Sequence, residues 1–219
     1  MNAAPTLPPA VRVIRPPGAL PESQFLARCV RCGECLRACA TNTLQPDWSR
    51  AGFEGLWAPH LNLRHAHCQQ DCNACGQVCP TQALRPLDLV EKRHARVGTV
   101  VVDRSRCLPW ARHEACFICE EQCPYGAVTL MRPALDRPGV PEVDLRRCNG
   151  CGKCEDKCPV EGNSAIVVTP HGELRLAAGS YVQQCRDRGL TFEAKRKGDV
   201  GPVPFRFDGD RLPPGLGTE

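Results

Sequence analysis

The hydrophobic positions of this chain come in short pieces. Apolar, β-prone runs occupy residues 99–103, 127–130, 142–144 and 165–168, none longer than about one short strand. Each run borders a cysteine-rich loop. A run that follows one such loop and a run that precedes the next can close as an antiparallel hairpin, so the pattern predicts small hairpins rather than one broad sheet. No apolar stretch approaches the roughly 18 residues needed to cross a bilayer, and no direct membrane span is expected. Residues 1–20 read as a proline-rich N-terminal arm, residues 21–170 as the main domain, and residues 171–219 as a C-terminal extension that is partly extended or disordered. Gly198, Gly201, Pro202, Pro204, Pro213 and Pro214 make the part from about Lys195 onward an arm or linker.

Composition sharpens this picture. The chain has 219 residues, of which 17 are cysteine, with 21 Pro, 19 Gly and only 5% aromatics. Hydrophobic residues make up 42%, but that figure counts the cysteines. What remains is thin for a core of this size, so cysteine chemistry must contribute to stability. An ordinary hydrophobic-core enzyme is a poor fit. The formal charge of +4 is too mild to point to nucleic acid. It also ignores thiolates: four iron–sulfur sites at about −2 each would turn it into about −4.

Sixteen of the cysteines fall into a fourfold repeat. Cys29, Cys32, Cys35 and Cys39 have the spacing C-x2-C-x2-C-x3-C, and so do Cys148, Cys151, Cys154 and Cys158. In Cys68, Cys72, Cys75 and Cys79 the first gap is three residues, and in Cys107, Cys116, Cys119 and Cys123 it is eight. Pro80, Pro124 and Pro159 follow three of the quartets, and Ala40 follows the first. Three cysteines on a tight loop can wrap three corners of a cubane. The fourth, one helical turn on, points to a neighbouring cluster, which is why the C-P cysteine of two-cluster ferredoxins ligates the other cluster. Proline then ends the turn. Gly33, Gly150 and Gly152 sit among the ligands, where close backbone approach to cluster sulfurs favours a missing side chain.

A disulfide framework would suit a small secreted chain and would not need this spacing. Structural zinc sites use C-x2-C pairs separated by longer loops, although zinc could replace iron in aerobic preparations. Four 4Fe–4S clusters fit better than either, with quartet three the most open to degeneracy because of its long gap. The expected fold is therefore α+β: two ferredoxin-like modules with short hairpins and small helices, each holding two clusters. Quartets could pair sequentially or in a nested way, with two and three inside and one and four outside. The run 11–14 could supply a strand beside residues 166–168, which tips the expectation toward nesting.

Residues 40–67 form a long insertion with Trp48, Trp57, His60, His65 and His67, read as a loop that shields a cluster from water. Residues 91–96, all but one of them charged or histidine, read as a solvated turn. Cys185 stands alone and reads as a free thiol. There is no dinucleotide fingerprint, P-loop or G-x-S-x-G elbow, so the chain is expected to carry electrons and not to act as an enzyme.

The stretch RPPGAL at 15–20 and FLARCVRCGEC at 25–35, followed by the four quartets in order with the enlarged third gap, resembles the NapG/MauM-type ferredoxins. The resemblance covers residues 15–170. It implies a non-catalytic electron carrier whose ligands are the sixteen quartet cysteines. It also implies redox partners: a membrane-bound quinol-oxidising iron–sulfur protein as donor, and a downstream reductase or other oxidoreductase as acceptor. Such proteins carry a twin-arginine export signal, whereas residues 1–14 contain neither an arginine pair nor an apolar h-region. The expected location is periplasmic and peripheral to the membrane if the chain is processed or trimmed, and cytoplasmic if Met1 is the native start. Arg31, Lys153, Glu120 and Glu121 are candidates for local tuning of potentials. The competing function is the cluster-bearing β subunit of a cytoplasmic oxidoreductase such as a hydrogenase or molybdopterin enzyme. A third reading is an adaptor that clusters merely staple.

Overall fold

The computed structural model describes residues 13–48, 50–132 and 137–193. Its helices are short. They are α1 (Glu22–Arg28), α2 (Glu34–Arg37), α3 (Ala74–Gln77), α4 (Leu89–His94), α5 (Leu108–Ala111), α6 (Ile118–Gln122), α7 (Lys153–Asp156) and α8 (Tyr181–Asp187). The strands are β1 (Leu44–Pro46), β2 (Pro59–Leu61), β3 (Thr99–Val102), β4 (Val128–Met131), β5 (Val140–Val143) and β6 (Ile166–Thr169). The result is a small α+β protein of two-stranded sheets and single-turn helices.

The helices α2, α3, α6 and α7 have a common origin. Each carries the third cysteine of a quartet, and each stops within two residues of the fourth. One helical turn is what the x3 gap encodes. At α2 and α7 the turn is launched by Gly33 and Gly152, both left-handed with φ of 78° and 80°. That conformation costs a side-chain-bearing residue about 1 kcal/mol or more.

Strand pairing repeats as well. Between quartets one and two, β1 and β2 pair antiparallel, Leu44 opposite Leu61. Between quartets three and four, β4 and β5 do the same, Val128 opposite Val143. The outer strands of the second half, β3 and β6, close around that hairpin with Thr99 opposite Thr169. In the first half this outer pairing shrinks to a single antiparallel bridge, Ala19 with Leu84.

Among the described residues the strand pairing that favoured nesting does not form. β6 is occupied by β3, and Ile14 instead accepts a hydrogen bond from the Leu61 amide at 2.8 Å. Val11 and Arg12 of the run in question lie outside the described residues. Within the proline-rich N-terminal segment, residues 13–20 are buried. Arg15 has no exposed side-chain surface, donates to the Pro59 carbonyl at 2.9 Å and to Glu22 at 2.7 Å, and lies 4.8 Å from the Phe25 ring centre. A buried guanidinium is tolerated only when paired in this way. Burial alone would raise the Glu22 pKa, but Arg15 and Arg175 outweigh it and hold the carboxyl below its ordinary range.

Residues 91–96 are likewise no solvated turn. The Asp88 side chain accepts from the Glu91 amide at 2.8 Å and caps α4, which packs on α8, and Lys92 and Arg96 are buried. Glu91 takes up both the Ser180 hydroxyl and the Tyr181 amide at the start of α8. The segment 171–193 is thereby tied to the body of the protein by Tyr181, Cys185 and Phe192, all buried. The stretch from Lys195 onward lies outside the described residues. One apolar core runs through both halves, joining Leu44, Leu61 and Leu63 to Val97, Val100, Tyr125 and Ile166.

Candidate metal centres

The sixteen quartet cysteines line four separate cavities, four to each. Cradle I holds Cys29, Cys32 and Cys35 with Cys79. Cradle II holds Cys68, Cys72 and Cys75 with Cys39. Cradle III holds Cys107, Cys116 and Cys119 with Cys158. Cradle IV holds Cys148, Cys151 and Cys154 with Cys123. Each quartet thus gives three cysteines to its own cradle and lends the fourth to its sequential neighbour. The long gap of quartet three is absorbed by α5 and leaves Cys107 lining the cavity beside Cys116.

This donor set fits cubane clusters. Among the described residues no three His, Cys, Asp or Glu side chains converge as ligands of one metal ion do, whereas a cubane spreads its four thiolates over its corners. His60, His65 and His67 line none of the cradles. His67 instead pairs with Asp156 at 2.8 Å.

Burial dominates the chemistry of the quartet thiols. It pushes Cys35, Cys119 and Cys151 up to about 12, and raises Cys75 and Cys154 further. Neighbouring cysteines add to the rise at each. Four thiols forced together in low dielectric resist ionisation, and metal binding is what displaces their protons. Cys158 moves the other way. Burial would raise it, but the Ser164 hydroxyl and the amides of Val160, Ala165 and Ile166 bring it below its ordinary value. Amide donors also reach two other lent cysteines: Ala127 N–H to Cys123 Sγ at 3.2 Å and Leu84 N–H to Cys79 Sγ at 3.5 Å.

The suggested tuning residues act less directly than their sequence positions imply. Arg31 has φ of 57°, held there by donating to the carbonyls of Glu54, Leu56 and Cys29, so its guanidinium ties the insertion to the Cys29 loop. At Lys153 it is the backbone amide that serves Cys151. The Glu120 carboxylate accepts from the Leu130 amide of β4. In the insertion, Trp57 lines cradle I and stacks near Trp48, their ring centres 4.2 Å apart. Cys185 lies outside all four cradles, fully buried, with its Sγ 3.3 Å from the His94 carbonyl oxygen.

Three residues escaped the sequence reading. Lys92 is 5% exposed, donates to the Gln69 carbonyl and lies against Cys68. The D-x-x-E capping signature at Asp88–Glu91 was its available signal, because it turns a charged run into a helix with an inner face. Arg64 donates to the carbonyls of Glu155, Cys158, Val160 and Gly162, spanning the two halves. Tyr125 lines cradle IV. Nothing in the local sequence marks either of the last two.

A family model described as a 4Fe-4S dicluster domain matches residues 28–83 and 113–162. The methylamine utilization ferredoxin-type protein MauM of Methylorubrum extorquens is 40% identical over 172 residues, covering 75% of this chain and 76% of that protein. The chain belongs to the MauM/NapG family of ferredoxin-type proteins. NapG of Escherichia coli is 37% identical, over 76% of this chain and 73% of its own length. NapF of the same organism is 34% identical, over 72% and 87%. A chain of a formate dehydrogenase–heterodisulfide reductase–formylmethanofuran dehydrogenase complex from Methanospirillum hungatei shares 18% identity over 80% of this chain and 60% of its own, with a TM-score of 0.26, too slight a likeness to bear on the fold. As a member of this family the protein carries 4Fe–4S clusters and transfers electrons, and it is not a catalytic enzyme. No helix among the described residues is long and apolar enough to cross a membrane.

Proposed function

We propose that this chain is a relay for single electrons built on four 4Fe–4S clusters, held as two ferredoxin-like modules in which quartets one and two, and three and four, exchange their last cysteines. The carrying observation is that all sixteen quartet cysteines line four cavities, with the fourth member exchanged each time. Each cluster, when bound, accepts and returns one electron at a potential the protein sets. The chain supplies thiolates, amide donors to sulfur and an apolar surround. Neighbouring cradles share a helix-and-cysteine exchange within each half, I with II and III with IV. Between the halves, the Cys68 amide donates to the Cys151 carbonyl at 2.9 Å, which brings the rims of II and IV together. The order along the molecule is thus I, II, IV, III, with I and III at the outer ends.

On the family resemblance, the donor is a membrane-bound quinol-oxidising iron–sulfur protein and the acceptor a downstream redox enzyme, with this chain working in the periplasm, peripheral to the membrane. The test is an anaerobic iron and sulfide count followed by an EPR-monitored redox titration. About 16 Fe and 16 sulfides per chain with several interacting one-electron signals are expected. Fewer than about 12 Fe after reconstitution, or zinc in place of iron, would overturn the four-cluster reading.

A further inference from the structure

In quartets one and two, the residue two places after the last cysteine sets a hydroxyl beside that cysteine's sulfur. Thr41 Oγ1 lies 3.7 Å from Cys39 Sγ, and Thr81 Oγ1 lies 3.8 Å from Cys79 Sγ. In quartet three the same position is Tyr125, whose hydroxyl is carried on a ring and reaches beyond its own Cys123. Tyr125 is 1% exposed, and its hydroxyl has no hydrogen-bond partner among the described residues. A buried hydroxyl left unpaired is costly, and native proteins seldom keep one without a partner.

The surroundings identify the missing partner. Tyr125 lines cradle IV together with Cys151, and the Cys68 amide of cradle II donates to the Cys151 carbonyl at 2.9 Å; of the neighbouring cysteines, Cys151 and then Cys68 weigh most on the hydroxyl. Arg93 is nearby, with Nη2 donating to Asp71 and Nε unpartnered among the described residues, but a guanidinium carries only donors and cannot accept the hydroxyl proton. Asn149 also approaches: its nitrogen donates to the Arg93 carbonyl at 3.3 Å and its oxygen accepts from the Cys151 amide at 3.0 Å, and neither end meets the tyrosine hydroxyl in hydrogen-bond geometry. Apart from the cysteines, Tyr125 and Asn149 are the only hydrogen-bonding side chains lining cradle IV. An O–H donor facing an anionic sulfur site finds its strongest acceptor in a thiolate.

Resting on the four-cluster reading above, we propose that the Tyr125 hydroxyl donates a hydrogen bond to the Cys151 thiolate, at the seam where cradles II and IV meet, and thereby raises the potential of the cradle IV site. A donor to a ligand sulfur stabilises the more negative, reduced state, and hydrogen bonds to sulfur are among the levers that set these potentials. Because the seam joins the halves, this residue controls how readily electrons pass between them.

The experiment uses the full chain, reconstituted anaerobically, as wild type and Tyr125→Phe. Iron and sulfide are counted first, and the cradle IV signal is identified as the one that Cys151→Ser perturbs. With about 16 Fe in both proteins, Tyr125→Phe should shift the reduction equilibrium of that signal about tenfold toward the oxidised form, about 59 mV for one electron, and leave the others in place. An unmoved signal, a uniform shift of all signals, or a shift only in the signal that Cys68→Ser perturbs would overturn it. Should the variant lose iron, pulsed EPR of the wild type in H2O and D2O decides: an exchangeable proton coupled to the cradle IV signal in wild type supports the bond, and its absence refutes it. A wild-type count well short of 16 Fe would sink the four-cluster reading itself, and this proposal with it.

Discussion

Quartets one and four have identical spacing, yet the structure treats them oppositely. In the fourth, Gly150 and Gly152 are left-handed and wedged: a Cβ on Gly150 would lie 2.6 Å from the Gly98 carbonyl oxygen, and one on Gly152 would lie 2.6 Å from the Leu63 side chain. In the first, the position matching Gly150 is Arg31, left-handed despite its side chain, and Gly33 has nothing within 4 Å of a would-be Cβ. Cys148 and Cys154 are buried, whereas Cys32 is exposed and Val30 and Trp57 form an open apolar rim. The same ligand loop therefore serves as an interior element in one half and as an outer terminus in the other. Its spacing answers to the cubane, and its glycines answer to whatever packs against the loop.

The largest test of this contrast concerns the exchange of ligands. Cys39→Ser should perturb the same cluster signal as Cys72→Ser and spare the one perturbed by Cys32→Ser, as read by EPR of each reconstituted variant. If Cys39 and Cys32 affected one common signal, the crossed assignment would fail. The next effect is steric. Gly150→Ala should cost about 3 kcal/mol, from overpacking against the Gly98 backbone plus left-handed strain, with loss of cradle IV iron. Gly33→Ala carries only the strain, about 1 kcal/mol. Thermal unfolding and iron content under argon measure both, and equal losses would contradict the asymmetry.

Smaller still is the charge beside cradle II. Lys92→Met removes a buried cation next to Cys68, so the potential of that one cluster should fall by tens of millivolts while the others hold. A redox titration reads this directly. The smallest effect belongs to the open end. Trp57→Ala should speed oxygen-induced bleaching of a single cluster a few-fold, the one Cys32→Ser perturbs, without shifting thermal unfolding appreciably. Uniform bleaching of all signals would show that Trp57 does not shield cradle I in particular.

Much of this site was legible as text because its determinants are local. A one-turn helix between the third and fourth cysteines follows from an x3 gap, and hairpins follow from β-prone runs placed between loops. The cavities then collect the same sixteen cysteines that the spacing singles out. The insertion was also partly legible, since Trp57 does line cradle I while its histidines stay away from the cradles. The charged run 91–96 misled for a physical reason: charge patterning describes a segment's solubility, and a capped helix can still turn Lys92 and, just beyond it, Arg96 inward when carbonyls wait there to receive them.

By itself, then, the sequence determined the four cysteine quartets, the single-turn helices that present them, the short hairpins and the membership in a ferredoxin-type family. Each depends on residues a few positions apart. The tertiary structure alone decided which quartets share cradles, because all four fourth cysteines are chemically equivalent and either pairing satisfies every ligand. That choice was made far from the cysteines, by the pairing of β3 with β6 and by the hydrogen bond that turns Ile14 toward β2. It also decided that residues 13–20 are buried, that Arg64 clasps the second half, and that a buried tyrosine hydroxyl in the lining of cradle IV has no partner among the described residues. Such long-range facts rest on packing and hydrogen-bond satisfaction between segments up to about a hundred residues apart, which no local spacing encodes.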